Sequence, residues 1–203
     1  MVVCARACAG LRVSFQRMET SVDKQAPATD AKQRLVDSTS TAWNTFVTYV
    51  DGLTADQWTQ PRDAADWSVK DHVSHVTQWD RAVIEALRNQ VPMRETLGIS
   101  ETAWSAESFD PMNEEIRHLA DTEGVDRVKA DRDATWTDLV ALMGELSEEQ
   151  LSQSGAEAGL AVGTGPLVEP VVEVLMDYWG AHYAEHLRDI QAIVASDATP
   201  KTG

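Results

Sequence analysis

This sequence has few cysteines, no long hydrophobic run and few basic residues. Its 203 residues include only two cysteines, Cys4 and Cys8, both near the start. They predict neither a disulfide framework nor a cysteine-rich zinc site, and they favour a reducing, cytoplasmic compartment. No run of about eighteen apolar residues occurs, so we expect neither a membrane-spanning helix nor a membrane partner.

Basic residues are also few. The chain carries 17 Lys and Arg against 33 Asp and Glu, a formal net charge of −16. Such a chain repels phosphate backbones at long range, so nucleic acid is not expected as a partner. Hydrophobic residues at 43% and charged residues at 25% are typical of a soluble globular protein. The length predicts one domain with a buried core.

The periodicity of the apolar residues predicts helices. No segment shows a confident alternating pattern, and apolar residues recur at spacings of three and four. Long helices are predicted at about 30–50, from 69 to just before Pro92, at about 126–146 and at about 170–196. Short capped turns at 53–58 and 147–151 and a short helix from Asp110 connect them. The predicted fold class is therefore all-α, a four-helix bundle with long connections.

Several boundaries are marked by particular residues. Ser68 and Asp71 form nearly a capping box at the start of the second long helix, and Asp30 is interpreted as the cap of the first. Residues 91–109 are poorly patterned and are interpreted as a long loop with one helical turn. Residues 1–29 are interpreted as a tail, either disordered or an upstream extension of a chain that starts more naturally at Met18. The bundle then covers 30–196, and 197–203 is a polar tail.

Two histidines, His182 and His186, lie four residues apart on the last predicted helix. Residues at this spacing share one helical face, so their imidazoles can hold one metal ion between them. Both fall near the middle of the apolar stripe, which is expected to face the core. They are either core histidines satisfied by hydrogen bonds or a metal-binding pair, and a third ligand would decide between these interpretations.

Three histidines remain as candidates for that third ligand. His118 lies among several charges and is interpreted as a surface residue. The apolar stripe of the second long helix places His72 near its centre and His75 towards its edge, beside Trp79. The helical wheel alone therefore favours His72.

A resemblance points instead to His75. Residues 67–75, Trp-Ser-Val-Lys-Asp-His-Val-Ser-His, resemble the second-helix signature of the DinB-like superfamily, in which Trp-Ser-x-x-(Asp/Glu) leads one turn later to a metal-binding His. His-Tyr-Ala-Glu-His at 182–186 resembles the C-terminal His-x-x-x-His of that superfamily, and Asp110 and Asn113 resemble a feature of some of its branches. The resemblance covers about residues 30–196. It implies that His75, His182 and His186 bind the metal. The extra His72 departs from the commonest pattern of the superfamily and is interpreted as an outer hydrogen-bond partner, a fourth ligand or a proton carrier.

The resemblance also implies a function. Members of the superfamily are four-helix bundles that hold one divalent ion and are often homodimers; zinc, nickel or iron would each suit three imidazoles. The superfamily includes thiol-dependent S-transferases and maleylpyruvate isomerases that use mycothiol or bacillithiol. We therefore expect a metal-dependent transferase that acts with a low-molecular-weight thiol, or a related metal-activated nucleophile, on a small-molecule substrate. The alternatives are a metal-dependent hydrolase and a non-catalytic stress or resistance protein that binds a metal or a small ligand.

The surroundings of the site can be proposed from the same helices. We expect a pocket walled by Trp79, Trp104 and Tyr183. Tyr178, one turn before His182, is a candidate catalytic hydrogen-bond donor, with core packing as its alternative role. No residue pattern identifies the substrate.

Overall fold

The architecture is all-α, as the periodicity predicts. The computed structural model describes residues 28–60, 62–162 and 165–197. Within them the helices are α1 (Ala28–Asp51), α2 (Ala55–Thr59), α3 (Val69–Asn89), α4 (Met93–Leu97), α5 (Glu101–Trp104), α6 (Asp110–His118), α7 (Val125–Glu145), α8 (Glu148–Ser152) and α9 (Val171–Asp197). Two two-residue strands, β1 (Ala161–Val162) and β2 (Gly165–Pro166), pair antiparallel in the connection before α9.

The four longest helices, α1, α3, α7 and α9, carry the core. α9 packs along α1, α3 packs along α7, and α3 and α9 also contact each other. α3 is further covered by α2, α4 and α6, so it is buried on most of its circumference. Both histidines of α3 lie on its wide buried face, and this places the site within the core.

The helix starts follow from local hydrogen bonding. Ser68 caps α3 by accepting from the backbone N–H of Asp71, and the Asp71 carboxylate accepts from the backbone N–H of Ser68. The same reciprocal capping box occurs at Thr54 before α2 and at Ser147 before α8. Each box satisfies backbone donors that the first helical turn leaves without partners. The predicted caps at these three positions are confirmed.

Two predicted boundaries are wrong. α1 begins at Ala28, so Asp30 lies inside its first turn and is not its cap. Segment 91–109 contains two short helices, where one helical turn was predicted. Gly98, in the left-handed conformation at φ +67°, ends α4, and Ser100 then caps α5 by accepting from the backbone N–H of Ala103. These helices are too short to show a periodic pattern, so only their caps identify them.

The remaining boundaries agree with the sequence to within a residue or two. The predicted tails at 1–29 and 197–203 lie almost entirely outside the described residues. Of the helices that the structure describes, none combines the length and the apolar composition that a bilayer-spanning segment needs.

Candidate functional site

Four of the five histidines meet between α3 and α9. α3 contributes His72 and His75, and α9 contributes His182 and His186, with exposures of 1%, 1%, 7% and 0%. His118 lies apart, with a half-exposed side chain on α6 that pairs with acidic neighbours. Its interpretation as a surface residue is confirmed.

His75, His182 and His186 form a compact group. One ring nitrogen from each lies within 4.8 Å of one from each of the others. The ring centroids are 5.4 Å apart for His75 and His182, 4.8 Å for His75 and His186, and 4.7 Å for His182 and His186. A tetrahedral zinc ion with Zn–N bonds of about 2.0–2.1 Å separates its nitrogen ligands by about 3.4 Å. The three nitrogens are therefore at most about 1.4 Å further apart than that spacing.

Four of the six ring nitrogens of this group lack a hydrogen-bond partner among the described residues. Both nitrogens of His75, Nδ1 of His182 and Nε2 of His186 are buried and bond to no residue that the structure describes. A buried polar atom without a partner costs about 1–3 kcal/mol. Four such atoms in one cluster are costly without a ligand, and they match the donor set of a metal site.

The electrostatics of the cluster favour neutral imidazoles. Burial lowers the pKa of His182 to about 3. Burial, followed by repulsion from the neighbouring histidines, lowers the pKa values of His75 and His186 well below 6.5. Only the deprotonated ring nitrogen binds a metal ion, so the site holds these side chains in the form that coordination needs.

His72 occupies a different position in the cluster. Its Nδ1 lies 2.9 Å from Nδ1 of His186, within hydrogen-bond distance. Its Nε2 lies 3.4 Å from Oδ2 of Asp63, in the loop before α3. His72 also groups with His186 and Asp189 as a second set of ligand atoms within 4.8 Å of one another. The helical wheel and the resemblance, which favoured different residues, each identified one that lies in the cluster.

Aromatic residues enclose part of the site. The Trp67 ring lies 5.2 Å from both His72 and His75, measured between centroids. Trp79 lies 6.3 Å from His75, and Tyr178 lies 5.0 Å from His182. Trp67 was not among the predicted pocket walls, although it opens the motif that identified His75.

Two of the predicted pocket walls have other surroundings. The Tyr183 hydroxyl donates to Oδ2 of Asp80 at 2.6 Å, and its ring packs on Trp43 and Phe46. Trp104 is partly buried against the hydrophobic core, and among the described residues it makes no ring contact with a histidine. Residues one position apart on a helix point about 100° apart, so Tyr183 follows His182 in sequence but serves the core.

Two carboxylates beside the site, and a third in the core, were not predicted. Asp189 was detectable in principle, because it follows His186 by three residues and so lies on the same face of α9. Asp63 precedes α3 in an irregular loop, where no periodicity indicates its direction. Asp80 lies inside the core and accepts from Tyr183 and from Nε1 of Trp179. A lone acidic residue in a helix gives no sequence signal of burial.

Comparisons with known proteins agree with this description. A family profile described as the DinB superfamily matches residues 38–190. Among solved structures, a protein from Streptococcus pneumoniae determined by structural genomics superposes with a TM-score of 0.55. It is 15% identical, and the match covers 79% of this chain and 88% of that one, which supports the fold alone. No curated protein sequence matches significantly.

Proposed function

This chain belongs to the DinB superfamily, and from that membership we propose that it is a metal-dependent enzyme with one divalent ion held by His75, His182 and His186. The observation that carries the proposal is the set of buried ring nitrogens, both of those on His75 included, that have no hydrogen-bond partner among the described residues. Zinc, nickel and iron all accept neutral imidazole ligands.

The proposed reaction is transfer of a low-molecular-weight thiol, or of a related nucleophile, to a small molecule. Three protein ligands leave an open position, and an ion bound in this way lowers the pKa of a coordinated water or thiol towards neutrality. Thiol-dependent transferases are among the members of the superfamily that both motifs resemble, and this supports the choice.

The chain's own residues have distinct roles in this proposal. Trp67 covers the α3 side of the cluster and excludes water from His75, since its ring lies 5.2 Å away. His182, at 7%, is the most exposed of the three ligands, and Tyr178 beside it is 8% exposed. A substrate would therefore approach on the side of His182 and Tyr178, where the phenol group can donate a hydrogen bond to it.

Elemental analysis of the purified, reconstituted protein tests the metal site. We expect one divalent ion per chain in the wild type and none in His75→Ala. His118→Ala is the matched control, because it removes a histidine from the surface and should retain the ion. Absence of metal from the wild type after reconstitution with zinc, nickel and iron in turn would refute the proposal.

A turnover screen then separates the candidate functions. The metal-loaded protein is assayed for thiol transfer, with mycothiol and bacillithiol as donors, and for hydrolysis. Thiol transfer that is lost in His75→Ala would support the transferase, whereas metal-dependent hydrolysis would favour the hydrolase. A fully loaded protein that is inactive in both would favour a binding role, for which the deep burial of His75 and His186 is the supporting observation.

A further inference from the structure

A chain of polar contacts runs outward from the proposed metal site. It begins at His186, passes to His72 through the Nδ1–Nδ1 contact of 2.9 Å, and ends at Oδ2 of Asp63, 3.4 Å from Nε2 of His72. All three side chains are at most 9% exposed. These three side chains therefore have to satisfy their hydrogen-bonding groups mainly with one another, because little water reaches them.

Asp63 determines the direction in which the hydrogen bonds of this series of contacts are donated. Its Oδ1 accepts hydrogen bonds from the backbone N–H groups of Ala65 at 2.8 Å and Trp67 at 2.9 Å, which leaves Oδ2 for His72. Burial alone would raise the pKa of Asp63, but the hydrogen bonds from His72 and from the backbone outweigh it, so its pKa is lowered. An ionised carboxylate only accepts hydrogen bonds.

The proton positions then follow in order. The 3.4 Å contact between Nε2 of His72 and Oδ2 of Asp63 is longer than a standard hydrogen bond, but neither atom has another partner among the described residues. A proton between them belongs on Nε2, which donates to the carboxylate, and a ring with that single proton has to accept at Nδ1. Nδ1 of His186 therefore carries a proton and donates it. That leaves Nε2 of His186 with its lone pair, and this is the atom of His186 that is buried without a partner among the described residues.

We propose that Asp63 and His72 are positioning residues, which hold His186 in the tautomer whose Nε2 binds the metal ion. The inference rests on the proposed metal site and assigns no ligand role to His72. The nitrogen–nitrogen distance supports this, because 2.9 Å is typical of a hydrogen bond and shorter than the about 3.4 Å between two nitrogens on one tetrahedral ion. Hydrogen bonds of this kind orient ligating histidines and raise their basicity.

The competing arrangement is a second ion held by His72, His186 and Asp189. It would require His186 to lose its Nδ1 proton and bridge two ions. Its signature is two ions per chain at saturation, and that result would overturn the proposal.

Two substitutions of similar shape test His72. In His72→Asn the side-chain oxygen lies close to the position of Nδ1 and can still accept from His186, whereas His72→Leu removes the acceptor. Zinc affinity is measured by competition with a chromophoric chelator. We expect a loss of about 10–100-fold in His72→Leu, the usual effect of removing such a partner, and a clearly smaller loss in His72→Asn. Equal losses in the two variants would contradict the proposal.

Asp63→Asn tests the direction of the chain. The two backbone N–H groups hold the amide oxygen at the position of Oδ1, so the amide NH₂ faces His72 and donates to it. Each hydrogen bond in the series then reverses its donor and acceptor. Nδ1 of His186 becomes an acceptor, and the proton of that ring moves to Nε2. We expect zinc affinity to fall about 10–100-fold although the substitution changes almost no volume. This variant also tests the positioning role of Asp63 and His72 if His72→Leu fails to fold.

Imidazole ¹⁵N NMR of the metal-free protein provides a readout that is independent of zinc. We expect the Nδ1–H tautomer of His186 in the wild type and the Nε2–H tautomer in Asp63→Asn. The wild-type tautomer without binding of zinc, nickel or iron would refute the proposed function and leave the role of Asp63 and His72 in setting the His186 tautomer intact. Zinc binding together with an Nε2–H tautomer in the metal-free wild type would refute the positioning role alone.

Discussion

Replacing Asp80 with asparagine tests how the core accommodates an acidic group. The Asp80 side chain is 3% exposed and accepts hydrogen bonds from Trp179 at 3.1 Å and from Tyr183 at 2.6 Å. Burial raises its pKa from 3.8 to about 7, against the opposing effect of the two hydrogen bonds. The folded protein therefore binds a proton at this site over a pH range in which the unfolded chain has released it.

The size of the change in stability follows from the linkage between proton binding at Asp80 and folding. At about 1.4 kcal/mol per pH unit, a rise in pKa from 3.8 to about 7 corresponds to about 4 kcal/mol. The contribution of Asp80 to the free energy of unfolding is complete below pH 3.8, where its carboxyl group is protonated in both the folded and the unfolded state. It is lost as the pH rises towards 7, and above pH 7 it changes no further. Between pH 5 and pH 8 the loss amounts to about 2–3 kcal/mol.

Asparagine removes this titration while keeping the contacts. Its carbonyl oxygen can accept from Trp179, and its amide can donate to the hydroxyl oxygen of Tyr183. We expect the free energy of unfolding of Asp80→Asn, relative to wild type, to increase by about 2–3 kcal/mol from pH 5 to pH 8.

The assay is urea unfolding of metal-free protein at pH 5, 6, 7 and 8, followed by far-UV circular dichroism. The lowered pKa values of His75, His182 and His186 also make stability depend on pH in this range, but these residues are common to both proteins, so their effect cancels in the difference. Asp177→Asn, which changes an exposed carboxylate on α9, is the control and should give no pH-dependent difference. Parallel profiles for Asp80→Asn and wild type would refute the reasoning, since they would mean that Asp80 titrates alike in both states.

Further predictions concern the histidines and the cap of α3. Because the pKa values of His75, His182 and His186 are lowered, the unfolded chain binds protons below about pH 6.5 that the folded chain excludes. Metal-free Asp80→Asn lacks the opposing titration of Asp80, so it is the protein to measure. Its free energy of unfolding in urea should fall from pH 7 to pH 5, by at most about 2 kcal/mol per histidine, and a flat profile would contradict this. Ser68→Ala should cost about 1–2 kcal/mol by loss of the buried cap and should also weaken zinc binding, since α3 carries His75. Ser147→Ala, at the exposed cap of α8, should cost about 1 kcal/mol or less and leave zinc affinity unchanged in the chelator assay.

The site could be predicted from the sequence where its residues are local to one helix. His182 and His186 share a face because of their spacing, and the pattern Trp-Ser-x-x-Asp that leads to His75 includes the capping box that starts α3. These are short-range relations, which helical geometry alone determines.

The choice between His72 and His75 could not be made in this way. A helical wheel ranks residues by distance from a single apolar stripe, but α3 packs against α2, α4, α6, α7 and α9, and its buried face is much wider than that stripe. Both histidines are therefore inside, and their roles differ by which groups of α9 and of the preceding loop they meet. The contact between Asp63 and His72 and that between His72 and His186 join segments whose approach no local pattern encodes.

Every polar group described around the histidine cluster comes from two stretches of chain, 63–80 and 178–189. The exposed turn at Ala156–Glu157 lies between them in sequence. A chain cut at that turn would carry His72 and His75 on one fragment and His182 and His186 on the other. Neither fragment by itself could bring together the imidazoles of His75, His182 and His186, so uptake of zinc by the mixture beyond that of either fragment would be a direct signal that the two halves had reassembled.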